Sequence, residues 1–152
     1  MPIKQKILAV EDDEFSLELL RHFLSEAEYD VMTAIDGLDA LRKLEENPSF
    51  DLILLDRVLP KLGGIDLILK IRADERFQDI PIVMQSALAL PEQVLEGKEA
   101  GAVYYLTKPF DRSALLQAVK SALEAGRVDR SAENELDCDD PYRRGSAGRP
   151  PA

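Results

Sequence analysis

Leu52-Ile53-Leu54-Leu55-Asp56 decides how this sequence folds: four unbroken apolar residues carry an acid at their carboxyl end. A strand with one wet face alternates apolar and polar residues, so an unbroken run marks a strand covered on both faces. Ile7-Leu8-Ala9-Val10 and Ile82-Val83-Met84 read the same way, and shorter runs stand at Val31-Met32-Thr33-Ala34 and Val103-Tyr104-Tyr105-Leu106. Strands of this kind belong to parallel sheets held between layers of helix.

The stretches between these runs carry helical spacing. Phe15 to Ala27 sets Leu17, Leu20 and Leu24 on one face, and further helices are expected at Leu38 to Glu45, Ile65 to Arg72, Glu92 to Ala100 and Ser113 to Ala125. Right-handed crossovers then give a doubly wound α/β domain, a five-stranded parallel sheet in the order 2-1-3-4-5. Ligands of such folds sit beyond the carboxyl ends of the strands, where the winding reverses. Here that point lies just after Val10 and just after Leu55.

The 152 residues have the size of one domain, and 45% of them are apolar, enough for an ordinary core. The domain is expected to span residues 1–126. Beyond Gly126 large apolar residues thin out, and residues 127–152 read as a disordered polar tail that cannot bury enough surface to offset its ordering entropy. No output domain is expected after residue 126. A net charge of −10 argues against direct binding of nucleic acid, which needs concentrated Lys and Arg; Arg143-Arg144 is too small a patch. Cys138 is the single cysteine, so there is no disulfide framework, and no apolar run has the length of a signal peptide core or a membrane span. A cytoplasmic protein with no membrane contact is expected.

Acids gather at the reversal point: Glu11-Asp12-Asp13 closes the first strand and Asp56 the third. Carboxylates so close raise one another's pKa unless a hard cation neutralises them, and oxygen ligands suit Mg²⁺. Acids at strand ends also cap the following helix, which Asp13 would do before Phe15, and Glu11 and Asp12 admit that reading as well. Asp56, directly after a buried strand, is harder to account for as a mere cap. Ser86 and Lys108 follow the fourth and fifth strands onto the same rim. A phosphoryl group on Asp56 would need a hydroxyl donor, a cation and a metal ion, which Ser86, Lys108 and Mg²⁺ would supply.

In Ile7 to Glu14 (ILAVEDDE), Leu52 to Gly64 (LILLDRVLPKLGG), Ile80 to Ala87 (IPIVMQSA) and Gly101 to Phe110 (GAVYYLTKPF), the sequence resembles the receiver domains of two-component response regulators, over about residues 5 to 125. The resemblance implies a flavodoxin-like fold and Asp56 as the phosphoacceptor. It makes Asp12 a direct Mg²⁺ ligand, with Glu11 reaching the metal largely through water and the backbone carbonyl of Val58 as a further ligand. Ser86 becomes the switch hydroxyl, Tyr105 the aromatic that reports the switch, and Lys108 the partner of the phosphoryl group, with Lys108-Pro109 cis. The implied partners are a sensor histidine kinase or a histidine phosphotransfer protein as donor and a separate effector protein as reader. Such a module is no enzyme in the ordinary sense, since it catalyses only its own phosphorylation and slow hydrolysis.

Three positions depart from the pattern. Gly63 stands where Asp is common, removing a cap from the next helix, and Val58 and Leu88 are apolar where polar side chains in relatives guide attacking water. Other classes fit less well. An aspartyl-phosphate hydrolase of the haloacid-dehalogenase type needs an acid at the Val58 position, and a flavodoxin-like redox carrier would meet a repelling Glu11-Asp12-Asp13 where its phosphate must sit. A pseudo-receiver that is never phosphorylated would have no need of Asp12, Asp56, Ser86 and Lys108 together. His22, the single histidine, reads as a helix-surface residue, and Tyr29, Phe50, Phe77 and Phe110 as core or margin.

Overall fold

The computed structural model describes residues 4–47 and 49–139, with side chains to residue 125. Strand and helix alternate as β1 (Lys6–Val10), α1 (Glu14–Glu26), β2 (Asp30–Ala34), α2 (Gly37–Glu46), β3 (Leu52–Asp56), α3 (Gly64–Arg72), β4 (Ile82–Ser86), α4 (Pro91–Ala100), β5 (Tyr104–Thr107) and α5 (Arg112–Asp139). The five strands form one parallel sheet in the order β2-β1-β3-β4-β5, as the apolar runs predict.

The period of two along each strand splits the core into two layers. From β3, Leu52 and Leu54 join Leu20, Leu24, Leu115 and Val119 beneath α1 and α5. Ile53 and Leu55 turn the other way, against Leu44, Leu67 and Ile71 beneath α2 and α3. All four β3 side chains are fully buried. Truncating such a residue to Ala costs about 2–5 kcal/mol, because lost transfer energy and an unfilled cavity add.

Register carries the strand ends to a common rim. Val10 pairs with Leu55, Asp56 with Gln85, and Ser86 with Thr107. β4 therefore runs two residues past the apolar Ile82-Val83-Met84, because Gln85 is paired with both neighbours and Ser86 with Thr107 of β5.

Capping sets where the helices begin. Asp13 caps α1, its Oδ2 accepting from the Ser16 amide at 2.9 Å and the Ser16 hydroxyl at 2.7 Å. Asp36 caps α2 through the Asp39 amide at 2.7 Å. Gly63 precedes α3 with no side-chain cap, as its sequence implies. α4 opens on Pro91, whose missing N–H would have no helical partner there. α5 continues past Gly126 to Asp139, further than the apolar pattern reaches, and the rest of the polar tail, with Arg143-Arg144, lies outside the described residues. Among the described residues, no helix is long and apolar enough to cross a membrane.

Candidate functional site

Four of the residues singled out by the sequence converge beyond the ends of β1, β3 and β5. Glu11, Asp12 and Asp56 each bring a carboxylate oxygen within 4.8 Å of the others; Glu11 and Asp56 are buried and Asp12 is exposed. Lys108 reaches over from the end of β5, its Nζ 2.8 Å from Asp56 Oδ2 and 3.1 Å from Glu11 Oε1. Neighbouring peptides hold the carboxylates still: the Val58 amide donates to Asp56 Oδ1 at 3.0 Å and the Asp13 amide to Glu11 Oε2 at 3.2 Å. Lys108-Pro109 is cis, as the resemblance implies.

Gly64 lets the loop after β3 close beneath the acceptor. A Cβ there would lie 2.7 Å from both the Asp56 carbonyl oxygen and the Arg57 Cα, so only glycine fits. The Gly64 amide donates to the Arg57 carbonyl at 2.8 Å and shuts the loop.

The electrostatics record the crowding. Burial, and then the charge of Asp56, push Glu11 up to about 7 against the pull of its bond from Lys108. On Lys108 burial works downward, but the bonds and charges of Asp56 and Glu11 outweigh it and leave the ammonium more basic than usual. One ammonium among three carboxylates leaves the cluster anionic, the condition in which an oxygen-ligated dication binds. All three donors are carboxylate oxygens, which suits Mg²⁺ in charge and hardness.

Ser86 and Tyr105 stand to one side of this cluster and meet at a single peptide. Ser86 Oγ accepts from the Leu88 amide at 3.0 Å, and the Tyr105 hydroxyl donates to the Leu88 carbonyl. Both residues are buried. The backbone of Leu88 thus joins the two expected switch residues, a role its apolar side chain gives no sign of in the sequence. Arg57 was likewise illegible. An arginine after a strand-ending acid reads as solvated, yet it lies 11% exposed beneath α4, bonded to the Gln93 carbonyl at 2.7 Å, the Tyr105 hydroxyl at 3.2 Å and the Glu96 carboxylate.

Val58, two residues after Asp56, and Leu88, two after Ser86, have exposed side chains, and Phe15, on the first turn of α1, is 76% exposed. Between α1 and the segment after β5 an apolar cavity of about 380 Å³ opens, walled by Leu19, Leu20, Phe23 and Phe110, with Lys108 at its edge. Gln85 also lines it, and its buried side-chain nitrogen Nε2 has no hydrogen-bond partner. His22 sits on the surface of α1 with Nε2 3.4 Å from Glu26, apart from the carboxylates.

Residues 7–120 match the response regulator receiver domain family. Over 119 residues the chain is 33% identical to chemotaxis protein CheY1 of Helicobacter pylori, covering 78% of this chain and 96% of that one. It is 39% identical over 125 residues to the DNA-binding dual master transcriptional regulator RpaA of Synechocystis sp., covering 82% of this chain but 51% of the regulator, so it spans about half the length of that relative. Among solved structures, the chemotaxis response regulator CheY4 of Vibrio cholerae superposes with a TM-score of 0.75 at 33% identity, over 79% of this chain and 99% of that one. The receiver domain of a sensor histidine kinase from Pseudomonas aeruginosa, described with a magnesium ion coordinated in its active site cleft, gives 0.74 at 33% identity, over 80% and 99%. Sheet order, rim chemistry and these likenesses agree, and the chain belongs to the response regulator receiver domain family.

Proposed function

We propose that Asp56 accepts a phosphoryl group from a phosphohistidine, supplied by a sensor histidine kinase or a histidine phosphotransfer protein, and that the signal passes on by protein contact. The observation that carries this is Asp56 Oδ2, buried at the end of β3 and 2.8 Å from Lys108 Nζ. A carboxylate oxygen attacks phosphorus, the P–N bond to the imidazole breaks, and its electron pair returns to the ring nitrogen. Lys108 would meet the negative oxygens that gather on phosphorus, and Ser86 would offer a hydroxyl from the next strand.

Glu11, Asp12 and Asp56 would hold Mg²⁺, with the Val58 carbonyl as a further ligand. Bound there, the ion supplies charge neutralisation for the carboxylates and the incoming phosphoryl oxygens. The protein's own residues do the rest: the Val58 amide fixes the acceptor, and exposed apolar side chains, Phe15 foremost, favour a docked partner over open water. The receiver unit ends near residue 126, works in the cytoplasm, and makes no direct contact with nucleic acid, in keeping with a net charge of −10.

Labelling with acetyl phosphate in Mg²⁺ tests the assignment. Asp56→Asn should abolish label while the circular dichroism stays that of the wild type, and chelation should abolish it too. Undiminished labelling of the variant would overturn Asp56 as the acceptor.

A further inference from the structure

Arg57 directly follows the proposed acceptor, yet its guanidinium points away from it. Successive residues leave a strand on opposite faces, so Asp56 and Arg57 address different layers of the fold. The guanidinium is enclosed by α4 and β5: one nitrogen serves the Gln93 carbonyl of α4 at 2.7 Å and the Tyr105 hydroxyl at 3.2 Å, and another pairs with Glu96. A guanidinium this deeply covered is tolerated only when its donors are used. The ring it bonds is equally enclosed. Tyr105 is 8% exposed, its hydroxyl donates to the Leu88 carbonyl, and its ring lies so close to α4 that a Cβ on Gly97 would come within 2.8 Å of it.

We propose that Arg57 is a positioning residue: it holds Tyr105 inward and ties α4 to the acceptor strand, setting the resting balance of the switch. This rests on the receiver reading of the chain. None of the bonds that seat the ring comes from Asp56 or Ser86; they come from Arg57 and the Leu88 peptide. Arg57 thereby adds stabilisation of the inward ring to that of the Leu88 peptide, before any phosphoryl group is present. A ligand shifts such an equilibrium only by its differential affinity for the two states, so a bond present beforehand lowers what phosphorylation must contribute.

The test is fluorine NMR on the full chain grown with 3-fluorotyrosine, with the Tyr105 signal assigned by its loss in Tyr105→Phe. Wild type should give a buried Tyr105 signal with little solvent isotope shift. Arg57→Met keeps the apolar stem and removes the donors. It should raise the outward population about tenfold, the worth of one charge-assisted hydrogen bond, and move the signal toward that of an exposed ring. Glu96→Gln should move it less, since the Gln93 and Tyr105 contacts survive. Arg57→Lys should fall between, because one ammonium cannot serve three acceptors in the guanidinium's fixed fork, and it stands in if Arg57→Met fails to fold.

Arg21→Met removes a surface pair with Glu18 remote from the ring and should leave the signal in place. A Tyr105 signal unmoved in both Arg57 variants, or moved as far by Arg21→Met, would overturn the proposal. Labelling by acetyl phosphate separates the two readings: Arg57→Met should label within about threefold of wild type. A wild type that takes no label on Asp56 would sink the receiver reading while leaving the fluorine result to stand or fall by itself.

Discussion

Lowering the pH from 8 to 6 should weaken Mg²⁺ binding roughly tenfold, and the cause is one side chain. Glu11 is pushed up to about 7 by burial and by the charge of Asp56 beside it. About nine-tenths of it is ionised at pH 8 and about one-tenth at pH 6, so the metal must displace about 0.1 proton at the higher pH and about 0.9 at the lower. Stability carries the same signature with a definite sign. Because the folded pKa lies above the ordinary glutamate value of 4.5, folded protein keeps a proton that the unfolded chain has already lost. The metal-free protein therefore loses stability as pH rises from about 4.5 through about 7, by an amount on the order of 3 kcal/mol as an upper bound. Mg²⁺ should remove that loss, so the gain in melting temperature on adding it must grow between pH 6 and pH 8. Isothermal calorimetry in buffers of different ionisation enthalpy counts the protons directly. Glu11→Gln should flatten both curves. An affinity that is level from pH 6 to pH 8, or a proton count near zero at pH 6, would refute the reasoning.

Three other outcomes follow from neighbouring residues. Asp12→Ala should weaken Mg²⁺ binding far more than Asp13→Ala, whereas Asp13→Ala should cost about 1 kcal/mol of stability through the lost cap on α1; equal effects in a metal titration would mean that the two acids share one role. Gly63→Asp should stabilise by about 0.5–1 kcal/mol, because the position has extended backbone, open space around it and an uncapped helix to serve, and thermal melts will show whether it does. The phosphorylated form should last minutes to hours, since Val58 and Leu88 present no group to hold an attacking water, and Val58→Asn/Leu88→Glu should shorten it roughly tenfold; a wild-type half-life of seconds would place the control of hydrolysis elsewhere.

The fold was legible because burial on both faces leaves an unmistakable trace: Leu52 to Leu55 can be nothing but an interior strand, and Asp56 stands out against it. The gathering of acids at the rim was legible for the same reason, because a charged group at the end of a buried apolar run costs stability unless it is put to use. Where the reading stopped short, the missing information was lateral. Gln85 lies in β4 because both neighbouring strands pair with it, and Ser86 because β5 does, not because of their own propensity. The roles of Leu88 and Arg57 depend on backbone groups and on a helix more than thirty residues away, to which local pattern is blind. Asp13, in contrast, announced its cap, because capping acts within four residues.

Lys108, shared between Glu11 and Asp56, also fixes how much the site can speak in charge. Three carboxylates against one ammonium leave two negative charges, which one dication would cancel. The proposed conversion of the Asp56 carboxylate to an acyl phosphate would then change the total by only about one charge, and at physiological ionic strength that field fades over about 8 Å. A reader on the far side of α4 would feel almost none of it. On the proposed function, what would reach such a reader is altered shape, so salt should govern how quickly partners meet and have little influence on the message they take away.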